Sequence, residues 1–202
     1  MGARISTSRS GTNKQDYRTP DAFMKAVVQR FGPISFDLAA DASNAQSPHY
    51  FAPSTSFLGP MPFDPNAHAM DAFGHSWAEL SNQREPNGAS KGLLWLNPPF
   101  AEIAEWSSRC RNEAMLGANI LLLVPAAVGS DWFVHHVAGF ADIYLLTGRL
   151  SFIPGQPYNK DCMLAHYQQS QVHWQCTRVM VTWDWRQNRI THQWDSLPRG
   201  DE

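Results

Sequence analysis

The sequence predicts an α/β protein: a mostly parallel β-sheet with an antiparallel edge built from the C-terminal part of the chain. Three observations carry this. Between Gly92 and Leu146, strand-like and helix-like segments alternate, and parallel strands need such crossovers. The strand-like segments there are almost wholly apolar, as strands covered on both faces must be. After Arg149 come strand-like segments without long helices between them, which suits antiparallel pairing.

The first element is a helix opened by Thr19-Pro20-Asp21. Thr caps it, Pro suits the first helical position, and Asp complements the dipole. Phe23, Val27 and Phe31 line one face, and Gly32-Pro33 stops it. Ile34–Ala39 reads as a short buried strand. Residues 45–91 are an irregular, proline-rich loop region. A structureless stretch of that length is unusual in a compact domain, so short elements are expected around His49–Phe51 and Ala69–Leu80. Gly92–Leu96 is a strand, Ala101–Leu116 a helix stopped by Gly117, and Asn119–Val124 a buried strand broken at Pro125. Ser130–Val137 is a helix capped by Ser130, and Ala141–Leu146 a strand. Arg149–Ile153, Asp161–Tyr167 and Arg178–Trp183 read as strands, with a hairpin around Gln187-Asn188. Parallel crossovers of this kind are right-handed.

The chain of 202 residues has the length of one domain. Residues 1–16 carry Arg4, Arg9 and Lys14 before the first acid, Asp16, and read as a flexible basic arm. Residues 17–202 form a single domain. A loose myristoylation pattern at Gly2–Ser6 is explained as well by that polar arm. The hydrophobic share of 43% excludes a disordered chain. A net charge of −2 excludes a uniformly basic nucleic-acid binder but leaves room for local basic patches. Three scattered Cys make no disulfide framework and fit a reducing, cytoplasmic setting. The apolar run Ile120–Val128 is too short for a membrane span, which needs about 20 residues.

The strongest chemical signal is Asn97-Pro98-Pro99-Phe100, directly after a strand and before a helix. In open α/β sheets, ligands bind at the carboxyl ends of strands. Two prolines fix φ and remove two N–H donors, leaving nearby carbonyls to accept from a ligand. The Asn97 side-chain oxygen is a second acceptor. Two acceptors converging on one point suit an –NH₂ group, and Phe100 offers a flat face for a base. A proline-stiffened turn that merely ends a strand is the plainer alternative.

Asn-Pro-Pro-Phe resembles the catalytic tetrapeptide of S-adenosylmethionine-dependent amino-methyltransferases. The wider pattern resembles the phage N-6-adenine DNA methyltransferases, the Dam family of phages and prophages. The matching stretches run in order: Tyr17-Arg-Thr-Pro20, Phe31-Gly-Pro, Phe36–Asp41 with Asn44-Ala, Tyr50-Phe51, Asp71-Ala-Phe with Trp77, Trp95–Phe100, Leu121–Pro125, Asp131–Phe133 and Gly148–Phe152.

The resemblance implies a Rossmann-like class I methyltransferase sheet and S-adenosylmethionine as cofactor. It also implies double-stranded DNA as partner, in the cytoplasm of a bacterial host, with a flipped-out adenine as target. It assigns Asn97, Pro98, Pro99 and Phe100 to catalysis. Thr19, Pro20, Asp37, Asp41 and Asp71 are assigned to the cofactor, with Asp64 competing with Asp71 because Pro60–Ala69 reads as an insertion. The sequence departs from many methyltransferases in having Ala39-Ala40 where a Gly-x-Gly loop is common. Transfer to cytosine N4 or a protein glutamine, or a non-catalytic nucleic-acid-binding role on the same scaffold, are the alternatives. A cytosine-C5 enzyme is excluded, since its Cys nucleophile follows a Pro, and here Arg109, Asp161 and Gln175 precede the three Cys. Cys162, His166, His173 and Cys176 match no standard zinc spacing, so no metal is expected. Arg84, Lys91, Arg109, Arg111 and Arg149 are candidate phosphate contacts.

Overall fold

The computed structural model describes residues 18–52, 65–69, 71–82, 92–168 and 179–194, and the backbone of 55–56 and 59–60. The basic arm, Asp64, Arg84, Lys91, His173 and Cys176 lie outside the described residues.

Helix α1 spans Asp21–Phe31 and buries Phe23, Met24, Ala26 and Val27. It ends at Gly32, whose φ of 100° is open to glycine at little cost and whose N–H returns to the Val28 carbonyl. Strand β1 is Ile34–Asp37, two residues shorter than expected. The loop region holds a two-residue pair, β2 (Thr55–Ser56) and β3 (Gly59–Pro60), and helix α2, Trp77–Asn82. Then follow β4 (Leu93–Leu96), a 3₁₀ turn at Phe100–Glu102, α3 (Ile103–Met115), β5 (Asn119–Pro125), α4 (Asp131–His136), β6 (Asp142–Leu146), β7 (Cys162–Tyr167), β8 (Met180–Asp184) and β9 (Arg189–Trp194).

Seven of these strands form one sheet in the order β1-β4-β5-β7-β6-β8-β9. Strands β1, β4, β5, β6 and β8 run one way, and β7 and β9 the other. The expected antiparallel edge is therefore half of the arrangement. Strand β9 is that edge, but β7 lies inside, antiparallel to both β5 and β6. The β5–α4–β6 crossover leaves a gap one strand wide, which the returning chain fills.

The apolar runs are explained by two buried faces. Leu93, Trp95, Leu121, Leu123 and Leu164 pack with α1. Leu94, Leu96, Ile120, Leu122 and Ala165 pack with Trp77 of α2, Trp106 and Cys110 of α3, and Phe133 of α4. Each fully buried Leu or Val contributes about 1.5–3 kcal/mol, so this double-sided layer is the main source of stability.

At the start of helix α2 the Ser76 hydroxyl accepts from the Glu79 N–H at 3.4 Å. Glu113 of α3, 3% exposed, caps the same turn further. One carboxylate oxygen accepts from the N–H groups of Trp77 and Ala78, both at 2.9 Å. The other meets the Arg109 guanidinium at 2.8 Å. A carboxylate at a helix N-terminus satisfies orphan donors and complements the dipole. Replacing Glu113 by Ala strands two buried donors and one cation. It should cost about 2–4 kcal/mol, read in a thermal melt as a fall in Tm of roughly 5–15 °C.

Candidate active site

The order of strand addition points to a candidate site. On one side of β1 lies β4. On the other, Asp37 bridges to Tyr50 and Phe51 to Ala69, both in parallel sense. The chain thus steps outward from β1, then returns past it to lay down β4. The order reverses between β1 and β4, and ligands bind outside the carboxyl ends of strands at such a switch point. Asp37 ends β1 level with Trp95, so Asn97 emerges just beyond it on the same edge. Asp71 follows Ala69 by two residues and emerges on this edge too.

Asp37 is 2% exposed. Its Oδ1 accepts from the Ala39 N–H at 3.2 Å and its Oδ2 from the Gln46 N–H at 2.9 Å. Burial pushes its carboxyl up to about 7, with a smaller push from the nearby Asp41 charge, against the pull of those two donors. Asp41 opens a tight turn: its Oδ1 accepts from the Ser43 N–H at 2.7 Å and from the Ser43 hydroxyl. The Arg18 guanidinium reaches the same Ser43 hydroxyl at 2.7 Å. Asp71 is exposed, and its Oδ1 accepts from the Phe73 N–H at 2.9 Å.

The missing Gly-x-Gly loop has a structural counterpart. The N–H of Leu38 goes to the Trp95 carbonyl, that of Ala40 to Phe51, and that of Ala39 to Asp37. The turn after β1 therefore has these three amides committed within the fold. What this edge offers a ligand is carboxylate acceptors: Asp37, Asp41 and Asp71. When ionised, these carboxylates only accept, which fits a ligand rich in donors, such as an ammonium, ribose hydroxyls and an adenine amine.

The Asn97–Phe100 loop sits beside this set. Asn97 and Phe100 are half-buried and Pro98 is buried. The Pro99 carbonyl accepts from Glu102 at 3.1 Å and starts the 3₁₀ turn that leads into α3. The Asn97 side-chain amide donates to the Thr19 hydroxyl at 3.2 Å, which ties the segment before α1 to the Asn97–Phe100 loop. Thr19 does not cap α1, contrary to expectation: Pro20 is the N-cap and makes no side-chain bond.

The sequence reasoning gave no role to Phe152 or Tyr158. Their ring centroids lie 6.2 and 5.8 Å from that of Phe100, and 5.4 Å from each other. The reason they meet is that the loop 147–161 leaves β6 and enters β7 at the carboxyl edge. Phe152 stands in the quoted stretch Gly148–Phe152, which was the available signal. The expected strand Arg149–Ile153 is absent: the segment is a loop with one isolated bridge, Ile153 to Gln156. Arg186 engages the carbonyls at its start, donating to Thr147 at 3.1 Å and to Arg149 at 3.4 Å, while the Leu150 and Ile153 carbonyls accept from the Tyr158 and Gln156 N–H groups within the loop. Gly148, with φ of 80°, lies so close to that guanidinium that a Cβ would collide with it.

Other candidates are committed elsewhere. Arg109 pairs with Glu113 and donates to the His75 carbonyl at 2.8 Å. Arg111 donates to the His135 carbonyl and lies over Phe140. Both read as structural. Arg149 is exposed and 3.5 Å from Asp161. Cys162 is buried, and His166 bonds to Asn119 at 2.8 Å. Burial raises the Cys110 and Cys162 thiols, which keeps both from acting as nucleophiles. Among the described residues, no helix is long and apolar enough to cross a membrane.

Comparison with curated proteins returned no match. A family profile, that of the DNA N-6-adenine-methyltransferase (Dam), matches residues 71–191. The match covers the Asn97–Phe100 loop, Asp71 and the Phe152–Tyr158 loop, whereas Thr19, Pro20, Asp37 and Asp41 precede it. With more than half of its length matched, the chain belongs to the Dam family of DNA N-6-adenine methyltransferases.

Proposed function

We propose that this protein transfers a methyl group from S-adenosylmethionine to N6 of an adenine flipped out of duplex DNA. The observation that supports this most is the position of Asn97-Pro98-Pro99-Phe100, at the carboxyl end of β4 and next to the strand-order reversal at β1. A Rossmann-like class I sheet accords with that reversal. The bound cofactor supplies an electrophilic methyl on a sulfonium. Asp37, Asp41 and Asp71 accept from its ammonium and hydroxyls, with Pro20 alongside. The Asn97 side-chain oxygen and the Pro98 carbonyl accept the two hydrogens of the adenine amine. Their pull localises the nitrogen lone pair, which would attack the methyl carbon in line. The N–C bond forms as the S–C bond breaks, the sulfur leaves as a neutral thioether, and the nitrogen sheds one proton to water. No covalent enzyme intermediate is needed, so the residues act by positioning and electrostatics. Phage or prophage origin, and modification of host DNA in the bacterial cytoplasm, rest on the resemblance of the ordered sequence stretches.

Sequencing of modified bases in DNA from expressing cells tests this reading. N6-methyladenine at a fixed short sequence is expected. Unmodified adenine alongside N4-methylcytosine, or no modified base, would overturn it.

Phe100 carries a narrower prediction. Its partly buried ring packs against Phe152 and Tyr158, and its exposed part is assigned to a base. Stacking is worth about 1–3 kcal/mol per base. Phe100→Ala should therefore lower kcat/KM roughly ten- to hundredfold, while Phe100→Tyr and Phe100→Trp keep activity. A Trp variant that is inactive and melts early would show that the ring is needed for packing.

A further inference from the structure

Thr19-Pro20-Asp21 has every mark of a helix start, and Thr is a strong N-cap residue. Yet the Thr19 hydroxyl makes no cap on α1. The Phe23 and Met24 N–H groups both go to the Pro20 carbonyl, at 2.9 and 3.0 Å. Thr19 is 7% exposed, and its hydroxyl instead meets Asn97, 78 residues further on. A local rule broken at a ligand-binding edge points to a use elsewhere.

The chemistry supplies that use. An asparagine amide has an acceptor end and a donor end, exchanged by a half-turn of the group. An adenine amine has hydrogens to give, so only the oxygen end helps it. The NH₂ end would set donor against donor. In the arrangement observed, the Thr19 oxygen accepts from Nδ2 at 3.2 Å, which sets the donor end toward Thr19 and turns Oδ1 the other way. The hydroxyl is itself held in place. Helix α1 is anchored by Phe23, which packs in one cluster with Trp95 of β4. Arg18, the preceding residue, is fastened through Ser43 to Asp41. The two residues before Pro20 thus span the carboxyl ends of both strands of the switch point.

We propose that Thr19 is a positioning residue for catalysis, setting the amide orientation of Asn97 so that its oxygen faces the substrate amine. This rests on the methyl-transfer reading above. It departs from the cofactor role that the resemblance implies for Thr19.

The test compares the full-length wild type with Thr19→Val, which keeps shape and loses the acceptor, and Thr19→Ser, which keeps the acceptor. Methyl transfer from labelled S-adenosylmethionine to duplex DNA gives kcat, and calorimetry gives the cofactor Kd. The Val variant should lose roughly five- to tenfold in kcat, a hydrogen bond's worth, with the Kd within about twofold. Ser should restore the rate. A second measurement separates orientation from folding. In an Asn97→Asp background the two side-chain oxygens are equivalent and no orientation is left to set. There Thr19→Val should cost less than about twofold, a strongly non-additive cycle. An unchanged kcat in the Val variant would overturn the proposal, as would a loss confined to Kd. So would an undiminished loss in the Asn97→Asp background. A wild type that methylates no DNA would overturn the parent reading, and the proposal with it.

Discussion

Replacing Asn97 by Ala is expected to abolish methyl transfer while leaving the fold and cofactor binding nearly intact. Asn97 is half-buried at the end of β4, outside the two packed clusters. The loop does not depend on it for shape. Two prolines fix the backbone that follows, and the bond from Leu38 to the Trp95 carbonyl at 2.9 Å holds β1 against β4 just before it. The lost bond to Thr19 is worth about 1 kcal/mol, too little to unfold the domain. The rate is another matter. Removing one preorganised hydrogen-bonding group from a site costs about a hundred- to thousandfold in kcat. In the proposed mechanism the lost group is one of two acceptors that prepare the nucleophile. A radiolabel assay should read close to background, with the melting curve and the cofactor Kd near those of the wild type. Near-normal turnover would remove Asn97 from the chemistry.

The parts of this molecule that follow from local sequence were legible in it. Alternation of apolar runs with amphipathic segments gave β4, α3, β5, α4 and β6 to within a few residues, because both faces of these strands are buried. The hairpin β8–β9 was legible from Gln187-Asn188, and Asn188 does take a left-handed φ of 48°. What was not legible depends on pairing between distant residues. No local signal says that β7 fills an interior gap, since an edge strand and an interior antiparallel strand carry similar side chains. Arg149–Ile153 has strand-like composition, but Arg186 holds its start as a loop.

The site divides in the same way. The Asn97–Phe100 tetrapeptide is contiguous and was found by its chemistry. Phe152 and Tyr158 join it only through the fold. Arg109 and Arg111 resembled phosphate contacts because sequence gives a charge but not its partners. Glu113 and the His75 carbonyl claim the first, and the His135 carbonyl and the Phe140 ring claim the second.

Asp37 should make cofactor affinity depend on pH. Burial holds its carboxyl at about 7 in the folded protein, against 3.8 for the free group. The folded state therefore keeps this proton more tightly than the unfolded one. The sign follows by linkage: between about pH 4 and 7 the unfolded chain has released the proton and the native one has not. Raising the pH through that window lowers the stability of the unliganded protein, and above about 7 the contribution is level. Pairing with a cationic ammonium needs the charged carboxylate. Binding below pH 7 must then expel a proton, and affinity should rise by up to about tenfold per pH unit toward 7 before levelling. Asp37→Ala removes the pairing, worth about 1.5–3 kcal/mol for a bond to a charged group. It should weaken cofactor binding roughly ten- to hundredfold, flatten the pH profile, and affect DNA binding much less. The alternative is that Asp37 only clasps its own loop through the Ala39 and Gln46 amides. In that case melting temperature would still vary with pH, but calorimetry between pH 5 and 7 would give a constant Kd. A flat wild-type profile, or an Ala variant that binds cofactor as tightly as the wild type, would take Asp37 out of the site.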